Sequence, residues 1–272
     1  MIKNVRAVVA DIDGTLLPKG KEMLPKMRQA LEDLHAKGIL FGVASGRPLD
    51  RRIKAKAQEW GLSFDFDMMI GMNGGDLWVE GMDDIQHNYI LDTDTMKDIL
   101  SWLQHLDMNA ISYIHGYDEV WALRMDDFMR DSQTRNNSIV KIVDVDTFCS
   151  VPTGKIEVHY PIEKEEEVMA EVARHPSDRY LCVHTYFGTI EFLDKRVNKG
   201  MGLKKYAEHA GIPMEEIMTF GDMENDYELI RDGGWGVCIL NGCDQCKSVA
   251  DDITDLPVEE CGMADYLYKH VL

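Results

Sequence analysis

The 272-residue chain has no apolar run approaching the roughly twenty residues of a membrane span, which excludes a membrane-spanning helical protein. Basic charge is scarce: 29 lysines and arginines face 48 acidic residues, for a net charge of −19. That balance argues against nucleic acid or an anionic membrane as the main partner. The start of the chain, MIKNVRAVVADIDG, has an apolar run too short, and too soon ended by acids, for a signal peptide. The chain therefore reads as cytoplasmic. Six cysteines in a chain of this length do not make a disulfide framework. Cys182 and Cys238 lie in apolar runs and read as core. Cys243 and Cys246 have the spacing of a redox or zinc half-site, but no second pair lies near, so they read as two free thiols. No low-complexity segment or disordered linker is visible.

What is present is an ordinary globular composition, 45% hydrophobic and 28% charged, long enough for one large domain with an insertion or for two domains. The first eighty residues alternate strand and helix. An apolar strand runs to Asp11, and "LPKMRQALEDLHAKG" sets Leu24, Met27, Leu31 and Leu34 at helical spacing before Gly38. "ILFGVAS" is a second strand, and "PLDRRIKAKAQEWG" predicts a helix opened by Pro48 and closed by Gly61. "FDMMIGMNGG" is a third strand. From residue 83 to 193 the pattern changes to short alternating strands, with a helix followed by two strands appearing twice. After residue 194 the first rhythm returns. The chain therefore reads as α/β: a doubly wound, Rossmann-like parallel-sheet core over residues 1–82 and 194–272, with an inserted α+β cap over residues 83–193.

Four stretches carry chemistry. In "DIDGTL", Asp11 and Asp13 point to the same side of an extended chain, and Gly14 permits a turn that projects both beyond the strand end. The alternative is a plain Asp-Gly turn. In "VASGRP", Ser45 ends a buried strand where a hydroxyl and backbone N–H groups form a phosphate-oxygen site, or where a serine merely caps a helix. Arg47 pairs with a substrate anion or with Asp50. In "VNKGMG", Asn198 is a good N-cap and puts Lys199 in the first helical turn. There its charge opposes the helix dipole unless an anion is bound, although a surface lysine tolerates this. In "FGDMENDYELI" a strand exits to Asp222, and Asp226 follows at i+4 with Asn225 beside it. Helix N-terminal acid enrichment accounts for one of these aspartates but not for the one that ends the strand.

A doubly wound sheet brings Asp11, Asp13, Asp222 and Asp226 to one edge. Two carboxylates 4 Å apart repel by ~4 kcal/mol even at an effective dielectric of 20. Such a cluster needs a cation, and hard oxygen ligands with room for water describe Mg²⁺ better than Ca²⁺ or zinc. Mg²⁺, Lys199 and the helix ends then supply the local positive field that an anionic substrate requires in an acidic protein.

The four stretches, in this order and at this spacing, resemble the motif set of the haloacid dehalogenase superfamily. The insert, "MNGG" after the third strand, and the tail segments "GWGV", "SVADDIT" and "GMADYL" are similar to its Cof-type, sugar-phosphatase-like branch with a large α/β cap. The resemblance implies Asp11 as the nucleophile that takes a phosphoryl group and Asp13 as the acid and base. It implies a Mg²⁺ site from Asp11, the backbone carbonyl of Asp13, and Asp222, with Asp226 in support. Ser45 and Lys199 would hold phosphoryl oxygens, and Arg47, Asn73 and Asn225 would help bind the substrate or phosphate.

The implied activity is hydrolysis of a small phosphorylated metabolite, a sugar phosphate favoured, with the cap closing over the site to exclude water. A phosphomutase shares the aspartyl-phosphate step. A non-catalytic phosphometabolite-binding protein would not need the full set of aspartates and lysine found here. Tyr113, His115, Trp121, Arg124, His184 and Tyr186 are cap side chains that could line a cleft, though alternation turns half of such residues away.

Overall fold

The first strand, β1 (Ala7–Ala10), is apolar at every position because both of its faces are covered. Val8 and Ala10 join one buried layer with Met27, Leu31, Leu34 and Leu267. Ala7 and Val9 join another with Leu203, Tyr206 and Leu229. The computed structural model describes residues 4–49, 53, 55–113, 119–136, 138–186 and 188–272. In it the chain divides into two units, Met1–Gln86 with Asn198–Leu272, and His87–Val197. The sequence reading placed these divisions after residues 82 and 193.

In the first unit β1 leads through α1 (Pro25–Ala36), β2 (Leu40–Ala44), α2 (Lys56–Glu59), β3 (Met68–Gly71), β4 (Asp76–Val79) and β5 (Gln86–His87). Helix α1 buries Met27, Ala30, Leu31 and Leu34, the apolar stripe of its sequence, and begins at a proline in the position where a missing N–H is harmless. The helix expected from Pro48 does not include its first residues: Pro48 and Leu49 are non-helical, while Ile53 is helical and a helical turn follows at Lys56–Glu59. Residues 50–52 and 54, including Asp50, lie outside the described residues.

The second unit runs α3 (Thr93–Leu103), β6 (Asn109–Tyr113), β7 (Glu119–Ala122), α4 (Asp127–Asn136), β8 (Ile139–Ile142), α5 (Val145–Phe148), β9 (Ile156–His159), α6 (Glu165–Arg174), β10 (Tyr180–Tyr186) and β11 (Thr189–Asp194). Its six-stranded sheet has the order β10-β11-β9-β6-β7-β8 and is antiparallel except between β7 and β8. The helix–strand–strand pattern occurs twice, as α3-β6-β7 and α6-β10-β11. Asp92 caps α3 by accepting the Thr95 N–H at 2.7 Å.

The chain then returns through α7 (Lys199–Ala210), β12 (Ile217–Gly221), α8 (Tyr227–Asp232), β13 (Trp235–Cys238), α9 (Asp244–Lys247), β14 (Asp252–Ile253) and α10 (Gly262–His270). Helix α7 is capped by Asn198, which accepts the Met201 N–H at 2.8 Å, and stops at Gly211 in the left-handed conformation. The eight-stranded sheet has the order β14-β13-β12-β1-β2-β3-β4-β5, parallel from β14 to β3, with β4 antiparallel to β3. This is the doubly wound sheet that the alternation of strand and helix predicts. All six cysteines are free thiols. Among the described residues no helix is long and apolar enough to cross a membrane.

Candidate active site

Strand β1 pairs with β2 on one side and β12 on the other, so the chain winds away from β1 in both directions. A crevice forms at such a reversal, beyond the carboxyl ends of the strands. Asp11 follows β1, Asp222 follows β12, Ser45 follows β2, and Asn73 lies just past β3. Because these strands are parallel, all four residues emerge at one edge.

The turn after β1 shapes the site. Gly14 has φ +107°, and a Cβ there would lie 2.3 Å from Asp222 Oδ2, so glycine is required both by the backbone and by the approach of the second aspartate. The next residue, Thr15, is fully buried and donates its hydroxyl to Asp222 Oδ1 at 2.8 Å. Thr15 was absent from the candidates drawn from sequence. Its only signal was its place beside Gly14, since a threonine in a turn ordinarily answers to its own backbone.

Lys199 is the first residue of α7 and has no exposed surface. That removes the surface-lysine reading. Its Nζ donates to Asp11 Oδ1 at 2.6 Å and to Asp226 Oδ1 at 2.5 Å. The other oxygen of Asp226 accepts the N–H groups of Asp222 and Met223 at 2.9 and 3.1 Å. Asp226 thus closes a short 3₁₀ turn, Glu224–Asp226, and fixes the backbone on which Asp222 rides. The i+4 spacing places the two aspartates together through this turn rather than along a regular helix.

Asp11, Asp222 and Asp226 each offer a carboxylate oxygen, and the three oxygens lie within 4.8 Å of one another. Burial pushes Asp11 up to about 7. Lys199 opposes the rise, while Asp226 and Asp222 add to it. Burial and then the charge of Asp226 push Asp222 up to about 6, against the hydrogen bond from Thr15. Burial alone would lower Lys199, but Asp11 and Asp226 outweigh it and hold the ammonium well above its ordinary value. One lysine does not neutralise three crowded carboxylates. The all-oxygen donor set and its uncompensated negative charge fit a small, hard divalent cation.

The remaining candidates form a rim. Arg47 donates from Nη2 to Asp13 Oδ2 at 2.7 Å, so the carboxylate of Asp13 meets a guanidinium and stands apart from the three-carboxylate group. Ser45 is buried, and its Oγ accepts the Arg47 N–H at 3.2 Å, a turn rather than a helix cap. Asn73 sits at φ +53°, between Met72 at +48° and Gly74 at +110°. Its Oδ1 accepts from Asn225 Nδ2 at 3.1 Å, and its N–H donates to the Ser45 carbonyl at 3.1 Å. Two successive non-glycine residues held left-handed are strained, and surrounding contacts must impose that conformation. A Cβ at Gly74 would meet the Asn198 carbonyl oxygen at 2.1 Å, so this turn abuts the cap of α7.

The cap side chains singled out from sequence find local partners instead. Tyr113 donates to Glu157, Trp121 to Glu119, Arg124 pairs with Asp107, and His184 with Glu165. His115 and the side chain of Tyr186 lie outside the described residues.

Comparison with known proteins fixes the class. The haloacid dehalogenase-like hydrolase family model matches residues 8–267. The chain is 26% identical over 271 residues to the 5-amino-6-(5-phospho-D-ribitylamino)uracil phosphatase YitU of Bacillus subtilis, covering 97% of this chain and 96% of that one. A haloacid dehalogenase-like hydrolase from Bacteroides thetaiotaomicron superposes with a TM-score of 0.83 at 23% identity, covering 98% of this chain and 99% of the other. The subclass IIB sugar phosphatase BT4131 superposes at 0.79 with 21% identity, over 97% and 98% of the two chains. The chain belongs to the haloacid dehalogenase-like hydrolases. Within them it is a Cof-type enzyme, a phosphoric monoester hydrolase.

Proposed function

We propose that the chain is a Mg²⁺-dependent phosphatase that hydrolyses a small phosphorylated metabolite, a sugar phosphate favoured, through an aspartyl phosphate on Asp11. The observation that carries this reading is the buried Lys199 ammonium, shared between Asp11 and Asp226 beside Asp222. A structural lysine has no need of a strand-end aspartate cluster, whereas a phosphoryl group needs a nucleophile and a fixed cation at one point.

In this reading an Asp11 carboxylate oxygen bonds to phosphorus as the bond to the leaving oxygen breaks, and that oxygen takes its proton from the Asp13 carboxyl. Water then bonds to phosphorus and yields a proton to Asp13. The Asp11 oxygen–phosphorus bond breaks and phosphate leaves. Ser45 and Lys199 hold the phosphoryl oxygens, while Arg47, fixed on Asp13, and the Asn73–Asn225 pair orient the substrate. Mg²⁺, held by Asp11, the Asp13 carbonyl and Asp222 with Asp226 behind them, would supply charge neutralisation for the phosphoryl group. The names of a phosphoribityl-compound phosphatase and a sugar phosphatase among the similar proteins support the choice of substrate class.

The test is phosphate release from a panel of phosphorylated metabolites, with and without Mg²⁺, using Asp11→Asn as control. Mg²⁺-dependent release that the variant lacks is the expected result. Release that survives either chelation or the substitution would overturn the reading.

A further inference from the structure

Cys243 and Cys246, which the phosphoryl chemistry does not use, hydrogen-bond to the backbone of the turn that carries Asp222. Cys243 is the N-cap of α9, and its Sγ accepts the Cys246 N–H at 3.5 Å. Its carbonyl accepts the Lys247 N–H at 3.1 Å, so a helical turn already runs from Cys243. Helical rise and radius set residues three apart at about 5 Å between Cα atoms, inside the span that a disulfide bridges. Among the described residues, no group of three ligating side chains that includes either cysteine is close enough to hold a metal. That leaves thiol chemistry for the pair.

The two thiols differ in access. Cys243 is partly exposed, whereas Cys246 is fully buried and packs with Ile230 and Cys238. Burial pushes the Cys246 thiol up and contact with the Cys243 thiol adds to the rise, so Cys246 remains an S–H donor. Its Sγ donates to the Met223 carbonyl at 2.8 Å. The same carbonyl accepts the Asp226 N–H at 2.8 Å, and the Cys243 N–H donates to the Asp222 carbonyl at 2.7 Å. The backbone of Asp222 and Met223 is thus held by Asp226 and by both cysteines.

We propose that Cys243 and Cys246 form a reversible disulfide when a hydroperoxide reaches Cys243, and that this bond slows phosphate release by loosening the turn that carries Asp222. The second half rests on the phosphatase reading above. With hydrogen peroxide, the Cys243 sulfur bonds to one peroxide oxygen as the O–O bond breaks. The other oxygen leaves as water with the thiol proton, and Cys243 becomes a sulfenic acid. The Cys246 sulfur then bonds to the Cys243 sulfur, the S–O bond breaks, and the hydroxyl leaves as water with the Cys246 proton. The dithiol is oxidised by two electrons and the peroxide is reduced. A small thiol reverses the bond by exchange. Once Cys246 has lost its hydrogen, the Met223 carbonyl loses a donor, and bonding draws the Cys246 sulfur toward Cys243.

The test exposes the whole protein to hydrogen peroxide, alkylates the remaining thiols after unfolding, and digests with trypsin for mass spectrometry. The peptide of residues 232–247 holds Cys238, Cys243 and Cys246. Expected is a form that lacks the hydrogens of two thiols, carries the alkyl group at Cys238, and is restored by dithiothreitol. The control is Cys243→Ser, which removes the sulfur and keeps a capping side chain. Oxidised wild type is expected to exchange the Asp222 and Met223 amide hydrogens faster. It should also hydrolyse p-nitrophenyl phosphate about tenfold more slowly, the lower end of what losing support behind a metal ligand costs. Peroxide-treated Cys243→Ser should keep both at their untreated values. Absence of the bond, a bond to Cys238 in its place, unchanged exchange and rate on oxidation, or an equal loss in Cys243→Ser overturns the inference. Hydrolysis by neither form counts against the phosphatase reading, and the bond and the exchange rates then decide the inference by themselves.

Discussion

The Lys199 ammonium lies 2.6 Å from the Asp11 carboxylate across 188 positions of sequence, with no exposed surface of its own. It also serves Asp226, so removing it strands two buried carboxylates at once. Lys199→Met is therefore expected to destabilise the protein by about 3–5 kcal/mol, the scale of a broken buried ion pair. Urea unfolding measures it, and a loss below about 1 kcal/mol would contradict the shared pairing.

Asp11→Asn keeps the shape of the proposed nucleophile and leaves Lys199 its bond to Asp226. Phosphate release should vanish while the thermal transition remains cooperative. Turnover at the wild-type rate would remove Asp11 from the chemistry.

Asp13 stands outside the three-carboxylate group, held by Arg47 at 2.7 Å, and is the proposed acid and base. Asp13→Asn should slow turnover by about 10²–10⁴-fold, and less for esters with good leaving groups. A series of aryl phosphates checks this. An equal loss across leaving groups of different acidity would argue against acid catalysis.

Thr15 orients Asp222 through a buried hydrogen bond of 2.8 Å. Thr15→Val preserves volume and removes the donor, and should weaken the proposed Mg²⁺ activation by about 10–100-fold, the scale of losing a partner behind a metal ligand. The readout is the Mg²⁺ concentration at half-maximal rate. An unchanged midpoint would make Thr15 a packing residue only.

Glu157 carries the pH prediction. Burial raises its carboxyl, but Lys155, His159 and Tyr113 outweigh burial and bring it down to about 2, from 4.5. A lowered carboxylate stabilises the fold where its unfolded counterpart is ionised, and that contribution is lost as pH falls from about 4.5 toward 2. Glu157→Gln should thus be less stable than wild type above pH 5, with the gap narrowing toward pH 3. Denaturant unfolding across that range decides it, and a gap independent of pH would mean the charge of Glu157 contributes nothing.

The order of apolar runs and aspartates already specified the sheet and the strand ends. Continuous apolar strands can only be buried on both faces, and aspartates directly after such strands must emerge at the edge where parallel strands end. Asp11, Asp222, Ser45 and the first-turn Lys199 were legible for that reason. Tertiary structure alone decided the pairings: which carboxylates Lys199 bridges, that Arg47 turns to Asp13, that Thr15 supports Asp222 and that Asn73 meets Asn225. It also decided that Pro48 and Leu49 are not helical, that Met72 and Asn73 turn left-handed, and that Glu157 and Glu191 come face to face. Periodicity reports which side of an element is buried, but not what waits there. The distances that give a buried charge its partner arise only when strands distant in sequence are laid side by side.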